Sequence, residues 1–578
     1  MEHGNAARPP GSHRADLTAR RVKGSSSRMT EKANAGGNAP DMPTSVMVSP
    51  GKRTSRTTVK REKQMTVPPG TDASPHQPRL WKALPWKALH QQVRRLQVRI
   101  AKAIQLGKCR RASALQWLLT HSRAARLLAV RRVTTNRGAN TPGIDNVRWR
   151  TDRQKFQAAD NLKRHGYKPK PLRRIYIPKK NGKLRPLSIP TLHDRAMQAL
   201  HALALAPVAE TRADPYSYGF REGRGCADAL RHVHNALSRR CSAQWVLEGD
   251  IRACFDEISH TWLLQNVPMD KQVLGKWLAA GYWEKDHLFP TRKGTPQGGI
   301  ISPLLANLAL DGMQNAIAQT VSPKGDKANF VRYADDFIVT GATQQLLEQK
   351  VKPALAVFLT PRGLELSEQK TVITHITKGF NFLGHTVRKF GDTLLTTPAK
   401  SNVKALREKI RLCIQSARGQ SQELLLRKLN PLIRGWANYF RHGASQRTFN
   451  RLDYDIHWQL WRWAKRRHPN KSAKWLVRKY FTATGKVGHF SVRLTKEKGT
   501  SHVLALYRAA STKIKRHIKI KGVANPYDLR YATYFEQRRR FSGGYQRCAI
   551  AHPATPSPLS ATRIMKHWLE PAAACLKP

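Results

Sequence analysis

Apolar residues along this chain fall into helical and strand-like spacings that change with position. From Leu89 to Val133 they recur every three or four residues with Arg and Lys between them, which predicts amphipathic helices. Gly138-Ala139-Asn140-Thr141-Pro142-Gly143 ends that pattern with turn-forming residues. From Lys155 to about Thr397, helical segments alternate with short β-branched and aromatic runs, so the expected class is α+β. Trp245–Ile251 reads as one short buried strand. Asn329–Arg332 and Phe337–Thr340 read as the two arms of a flat, half-buried hairpin. From Lys400 to Tyr480 the helical period returns. Ile433, Trp436, Ala437 and Phe440 follow i, i+3, i+4, i+7 and are predicted buried, and Trp458, Leu460 and Trp461 are also expected in a core. Residues 1–80, rich in Gly, Ser, Thr, Pro and Arg, predict a disordered basic arm. The Pro/Ala-rich residues 547–578 predict an unstructured tail.

Charge changes the picture. Among 578 residues, 103 Lys and Arg face 37 Asp and Glu, a formal net of +66, so a polyanion is the expected partner and nucleic acid leads. The longest apolar run, about Ala199 to Ala209, is interrupted by His201 and is far too short to span a bilayer. No secretory pattern opens the chain, and a membrane partner is not expected. The seven cysteines are scattered with no C-x-x-C pair, which suits a reducing compartment and argues against a zinc-ribbon site.

In so basic a chain, clustered carboxylates need a reason. Tyr333-Ala334-Asp335-Asp336 sets two aspartates at the tip of the predicted hairpin, and the Trp245–Ile251 strand delivers a third, Asp250. Singly, each has a plain explanation, since aspartate is common in turns and at strand ends. Asp250 and Asp335 lie 85 residues apart in sequence, and neighbouring strands of one sheet would bring them together. Such a pair is what two Mg²⁺ ions need for phosphoryl transfer, one activating an attacking 3′-oxygen and one stabilising the leaving pyrophosphate. Between them runs Gly294-Thr295-Pro296-Gln297-Gly298-Gly299, then Ser302-Pro303. These last two are predicted as N-cap and first turn of a helix over Leu304–Leu310.

The order of these motifs, followed by Arg362-Gly363-Leu364 and Phe382-Leu383-Gly384, resembles a reverse transcriptase, and more narrowly the group II intron reverse transcriptase/maturase family. Thr141-Pro142-Gly143-Ile144-Asp145, Arg185–Pro190 and Tyr218-Gly219-Phe220-Arg221 fit upstream, and Leu432–Phe440 resembles the maturase thumb. The likeness covers about residues 85–540. It implies a right-hand polymerase: a helical extension (81–140), fingers and palm with an antiparallel sheet (141–397), an all-α thumb (398–482) and a basic DNA-binding segment (483–546).

It also implies roles. Asp250 and Asp335 would ligate two Mg²⁺ ions, with the Ile251 carbonyl as a further ligand and Asp336 in support. Phe255 would exclude a 2′-hydroxyl and so favour dNTPs, Gln297 would contact the nascent pair, and Lys179 or Lys180 with Arg185 would reach the triphosphate. The Lys179–Arg185 stretch is equally a solvated hairpin turn at Asn181-Gly182. Where relatives usually carry Lys-Gly-aromatic, residues 252–254 are Arg-Ala-Cys. Cys548 and Cys575 replace the paired cysteines of an endonuclease domain, so neither zinc nor second-strand cutting is expected.

Arg434, Arg462, Lys465, Arg466 and Arg467 are the candidate RNA contacts. The implied partners are the parent group II intron RNA, an RNA template with a DNA primer, target DNA and dNTPs. The implied location is a cytoplasmic, nucleoid-associated ribonucleoprotein of open oligomeric state. Two rivals remain at this point: a splicing-only maturase, which the three intact aspartates oppose, and a retron- or defence-type enzyme, which the long thumb-like region opposes.

Overall fold

The computed structural model describes residues 80–541, apart from 179–181, 183, 323–324, 482–487 and 496–500. The predicted arm (save Leu80), the tail, and Cys548 and Cys575 lie outside the described residues. Four helices come first: α1 (Trp86–Gln105), α2 (Cys109–His121), α3 (Arg123–Thr134) and α4 (Asp152–Asp160). Thr151 and Gln154 form a capping box that starts α4. Strands β1 (Leu172–Pro178) and β2 (Leu184–Ile189) lead into α5 (Leu192–Arg212), α6 (Cys226–Leu237) and β3 (Trp245–Asp250). Short helices α7 (Cys254–Glu257), α8 (His260–Asn266) and α9 (Lys271–Leu278) precede the hairpin β4 (Tyr282–Glu284) and β5 (His287–Phe289). Then come α10 (Ser302–Leu310), α11 (Met313–Ala318), β6 (Asn329–Tyr333) and β7 (Asp336–Gly341). They are followed by α12 (Gln344–Leu346), α13 (Lys352–Leu359), and β8 (Val372–His375), β9 (Phe380–Phe382), β10 (His385–Phe390) and β11 (Thr393–Pro398).

The longest apolar run became α5. It is apolar on nearly every side because α1, α2, α3 and α10 pack around it, which is where an all-round hydrophobic helix belongs in a large domain. A four-stranded sheet of order β6-β7-β3-β8 is antiparallel throughout. Its residues alternate between two cores. Leu247, Phe330, Phe337 and Val339 join the one that includes α5, while Val246, Val331 and Ile338 join one beneath α6 and the β9–β11 sheet. The hairpin arms are therefore buried on both faces, not half-buried as their spacing suggested. A second sheet, β2-β1-β4-β5, carries Arg185.

Residues 400–480 form α14 (Lys400–Gln415), α15 (Gln422–Phe440), α16 (Gln446–Arg467) and α17 (Ala473–Tyr480) around a core of their own. Ile433, Trp436, Ala437 and Phe440 are buried there as predicted. Trp458 is not: the buried stripe of α16 runs Phe449, Leu452, Ile456, Leu460, Trp463. Trp458 falls outside that period and is 42% exposed, and Trp461 is only half-buried. Hairpin β12 (Ser491–Thr495)–β13 (Ser501–Ala505) packs on α15, where Asn430 Nδ2 donates to the Ala505 carbonyl at 2.8 Å.

The chain then returns across the first part of the molecule and ends in α18 (Ala532–Phe541). Buried Asp228, at the start of α6, accepts hydrogen bonds from Ile520 N, His517 Nε2 and Arg538. Arg224 donates to the Gly522 carbonyl at 2.8 Å. Asn525-Pro526-Tyr527-Asp528 reaches α1, where Arg94 donates to the Pro526 carbonyl and stacks on Tyr527, and Gln105 donates to Asp528.

His385 joins β10 to α15. It is buried between Tyr439 and Phe440, and its Nδ1–H donates to the Leu383 carbonyl at 3.1 Å. Burial lowers its pKa to about 4, and His201 and His442 are held at about 4 for the same reason. A histidine depressed in the folded state stabilises above its free pKa of about 6.5 and loses that stabilisation as pH falls toward 4. Urea unfolding followed by tryptophan fluorescence should show stability falling between pH 6.5 and 4. His385→Gln, which keeps a donor but does not titrate, should flatten that fall by an amount on the order of 3 kcal/mol.

Candidate active site

The register brings the predicted carboxylates together. Asp250 ends β3 directly opposite Asp336, the first residue of β7, and Tyr333 closes β6 opposite the same Asp336. Only Ala334 and Asp335 make the turn, and Ala334 takes φ +60°, a left-handed conformation costly for a residue with a Cβ. The backbone of residues 216–218 pairs along the outer side of β6, Tyr218 N donating to the Arg332 carbonyl at 2.9 Å. That contact explains Gly219 of the Tyr218–Arg221 motif, where a Cβ would lie 2.3 Å from Ala334 N.

Arg332, fully buried in β6, fastens the turn from below. It pairs with Asp311 just past α10 and donates to Asn307 Oδ1 at 3.2 Å and to the Ala334 carbonyl at 3.4 Å. Asn307 in turn donates to the Gly219 carbonyl at 2.8 Å. The same layer holds a second buried pair, Arg221 forked onto both oxygens of Glu210 at 2.8 Å. Neither Arg332 nor Asp311 was among the residues singled out in the sequence.

The carboxylates crowd one another. Burial, and then the Asp250 charge, raise Asp335 above the usual range, with Arg185 and Lys370 pulling the other way. Asp336, whose side chain reaches solvent, is pushed up to about 7 by the surrounding protein and then by Asp335 and Asp250. Lys370 Nζ lies 2.5 Å from Asp250 Oδ2, a contact across 120 residues that no local pattern signals. Ile251 bridges to Leu366 through bonds made by its neighbours, Arg252 N to Glu365 O and Ser367 N to Asp250 O. The Ile251 carbonyl therefore faces the hairpin side.

The other wall is a relay. Arg185 Nε donates to Gln297 Oε1 at 2.8 Å, Gln297 Nε2 donates to Asp256 Oδ2 at 2.9 Å, and Ser188 N donates to the Gln297 carbonyl at 2.9 Å. Gly298, at φ +137°, passes so near Ser188 that a Cβ would meet its carbonyl at 2.5 Å. Phe255 is half-buried on α7, edge-on to Phe220, and its carbonyl accepts from Thr295 N at 2.6 Å. Lys179 and Lys180 lie outside the described residues. Ser302 does not cap α10: Ile301 holds that position, and the Ser302 hydroxyl donates to the Pro296 carbonyl at 2.8 Å, fixing the Gln297 loop instead.

The basic candidates occupy α15 and α16. Arg434 is exposed and stacks on Tyr507; Arg462, Arg466 and Arg467 line one groove, and Lys465 is exposed beside it.

Three family models match the chain: the N-terminal domain of reverse transcriptase over residues 81–162, reverse transcriptase (RNA-dependent DNA polymerase) over 177–387, and the group II intron maturase-specific domain over 403–481. Protein YkfC of Escherichia coli is 33% identical over 300 residues, covering 44% of this chain and 78% of that protein. The chain belongs to the group II intron-encoded reverse transcriptase/maturase family. The group II intron-encoded protein LtrA of Lactococcus lactis subsp. cremoris is 30% identical over 354 residues, 50% of this chain and 59% of LtrA. A 91 kDa protein in the cob intron of Schizosaccharomyces pombe is 27% identical over 413 residues, 57% of this chain and 51% of that protein. The match to LtrA thus spans little more than half of that relative's length. Among the described residues no helix is long and apolar enough to cross a membrane. Within the group II intron family the reverse transcriptase domain carries a general dependence on divalent metal.

Beside Asp250, the departure at residues 252–254 has a conformational cost. Ala253 holds φ +43°, a left-handed conformation costly for a residue with a Cβ. Ala253→Gly is expected to stabilise the fold by up to about 1 kcal/mol, read as a higher melting temperature in calorimetry.

Proposed function

We propose that the protein is an RNA-directed DNA polymerase that also binds its parent group II intron RNA, assists its splicing and supports its mobility. The observation that carries this reading is the register that sets Asp250 opposite Asp336 with Asp335 in the β6–β7 turn just before it. Asp250 and Asp335 would hold two Mg²⁺ ions, with the Ile251 carbonyl as a further ligand and Asp336 in support. The donor set fits a hard divalent cation: it is all oxygen, and its mutual repulsion is relieved when positive charge enters. Among the described residues no group of three or more His, Cys, Asp or Glu is placed to hold a metal ion by itself, and on this reading substrate phosphates would supply further ligands. The metals supply activation of the primer 3′-hydroxyl and stabilisation of the departing pyrophosphate.

The chain's own side chains do the rest. Lys370 pairs with Asp250 and would remain in the cleft as a counter-charge if a cation took its place there. Arg185, held in place by Gln297, meets the triphosphate together with Lys179 or Lys180. Gln297 abuts the new base pair, and Phe255 packs beneath the sugar and refuses a 2′-hydroxyl. Arg434, Arg462, Lys465, Arg466 and Arg467 meet intron RNA, while the RNA template with its DNA primer, dNTPs and target DNA complete the partners. This reading assigns no role to zinc.

Extension of a DNA primer on an RNA template with Mg²⁺ and dNTPs tests it. Asp335→Asn should lose at least about a hundredfold in rate while keeping the circular dichroism of the wild type. A folded, RNA-binding wild type without extension would overturn the polymerase and leave a splicing-only maturase. In the same assay Phe255→Ala should raise incorporation of rNTPs relative to dNTPs by about tenfold or more, and an unchanged ratio would remove Phe255 from that role.

A further inference from the structure

Outside the carboxylate cleft, the molecule has a built groove between α14 and α16 of about 240 Å³. Its α16 wall is the stripe Gln459, Arg462, Trp463, Arg466 and Arg467, spaced i, i+3, i+4, i+7, i+8 on one helical face, and Ile414 and Arg418 face it. No carboxylate lines it. One turn back on α16, Asp455 is paired with Arg407 of α14, which closes that end. Arg467 donates to the Arg418 and Gln420 carbonyls at 2.9 and 2.7 Å and lies over the Trp463 ring, which fixes its place in the wall. Arg418, Arg462 and Arg466 are exposed at the rim. On the floor, Gln459 Oε1 is buried with no hydrogen-bond partner, an acceptor left without a donor.

We infer that this groove takes one unstacked nucleotide of an RNA. Resting on the RNA-binding reading above, it names the element recognised: a bulged or looped-out residue, not a duplex. Two helices packed side by side leave room for a single base and sugar and none for a double helix. Base edges offer amino and ring N–H donors to Gln459 Oε1, guanidinium planes stack on bases, and the rim arginines receive the flanking phosphates. An acidic peptide would satisfy the arginines but supplies no flat donor edge for the floor.

The test is fluorescence anisotropy of the full chain with a fluorescein-labelled RNA hairpin carrying one bulged adenosine, against the same hairpin fully paired. The bulged hairpin should bind about tenfold tighter. Gln459→Leu should reduce that preference to threefold or less while leaving the affinity for the paired hairpin and primer extension unchanged. Gln459→Met, which keeps the side-chain length but removes the acceptor oxygen, should abolish the preference as well. Equal binding of the two hairpins by the wild type, or a tenfold preference that survives both variants, would overturn the inference while leaving RNA binding intact. Failure to bind either hairpin would take down the RNA-binding reading itself. Displacement of both hairpins alike by a polyglutamate peptide would instead mark the groove as an acidic-peptide site.

Discussion

Arg332 lies wholly out of water in the middle of β6, and its neighbours are arranged around that fact. An unpaired guanidinium there would cost several kcal/mol, so Asp311 must sit beneath it, and α10 must end where Asp311 can do so. The remaining donors of Arg332 then fix Asn307 and the Ala334 carbonyl, and Asn307 fixes Gly219. Three separate stretches of chain are thus tied to one two-residue turn. A turn with a strained alanine at φ +60° keeps its shape because what lies around it leaves no alternative.

On that anchored turn sits a group of carboxylates that crowd one another. Asp335 and Asp336 both hold protons more tightly than free aspartate, while Lys370 shields Asp250 from outside. The opposite wall is similarly self-occupied, since Arg185 and Gln297 satisfy one another. Both walls therefore hold internal contacts of a kind that a cation and a phosphate could replace.

Much of this was legible in the sequence, and what was not has physical causes. Asp250, Asp335 and Asp336 could be found because each ends or interrupts an apolar strand, and the helical stripe from Ile433 to Phe440 because its period is unbroken. Arg332 could not: a charge inside a strand reads as a solvent-facing position until its partner, 21 residues earlier, is known. Lys370 lies 120 residues from Asp250 and follows no motif. The hairpin looked half-buried because alternation reports one covered face, whereas here helices cover one side and a second sheet with the returning chain the other. Trp458 misled because Trp461 and Trp463 offer competing helical phases, and only packing chooses between them. Ser302 carried the right residue type for a cap but serves the preceding loop.

The return of the C-terminal stretch to α1 sets an order of events for a chain made from one end. Arg94 meets Pro526 and Tyr527 only after more than four hundred further residues have been synthesised, the contact with Pro526 spanning 432 positions. Until then Asp228 lacks Ile520, His517 and Arg538, and the α1 surface that Tyr527 covers stays bare. A nascent or prematurely released chain therefore lacks part of the cover over its carboxylate sheet and stays open along this seam. The returning segment acts as a latch over α1 and α6, and chains that lack it leave those surfaces exposed to chaperones and proteases.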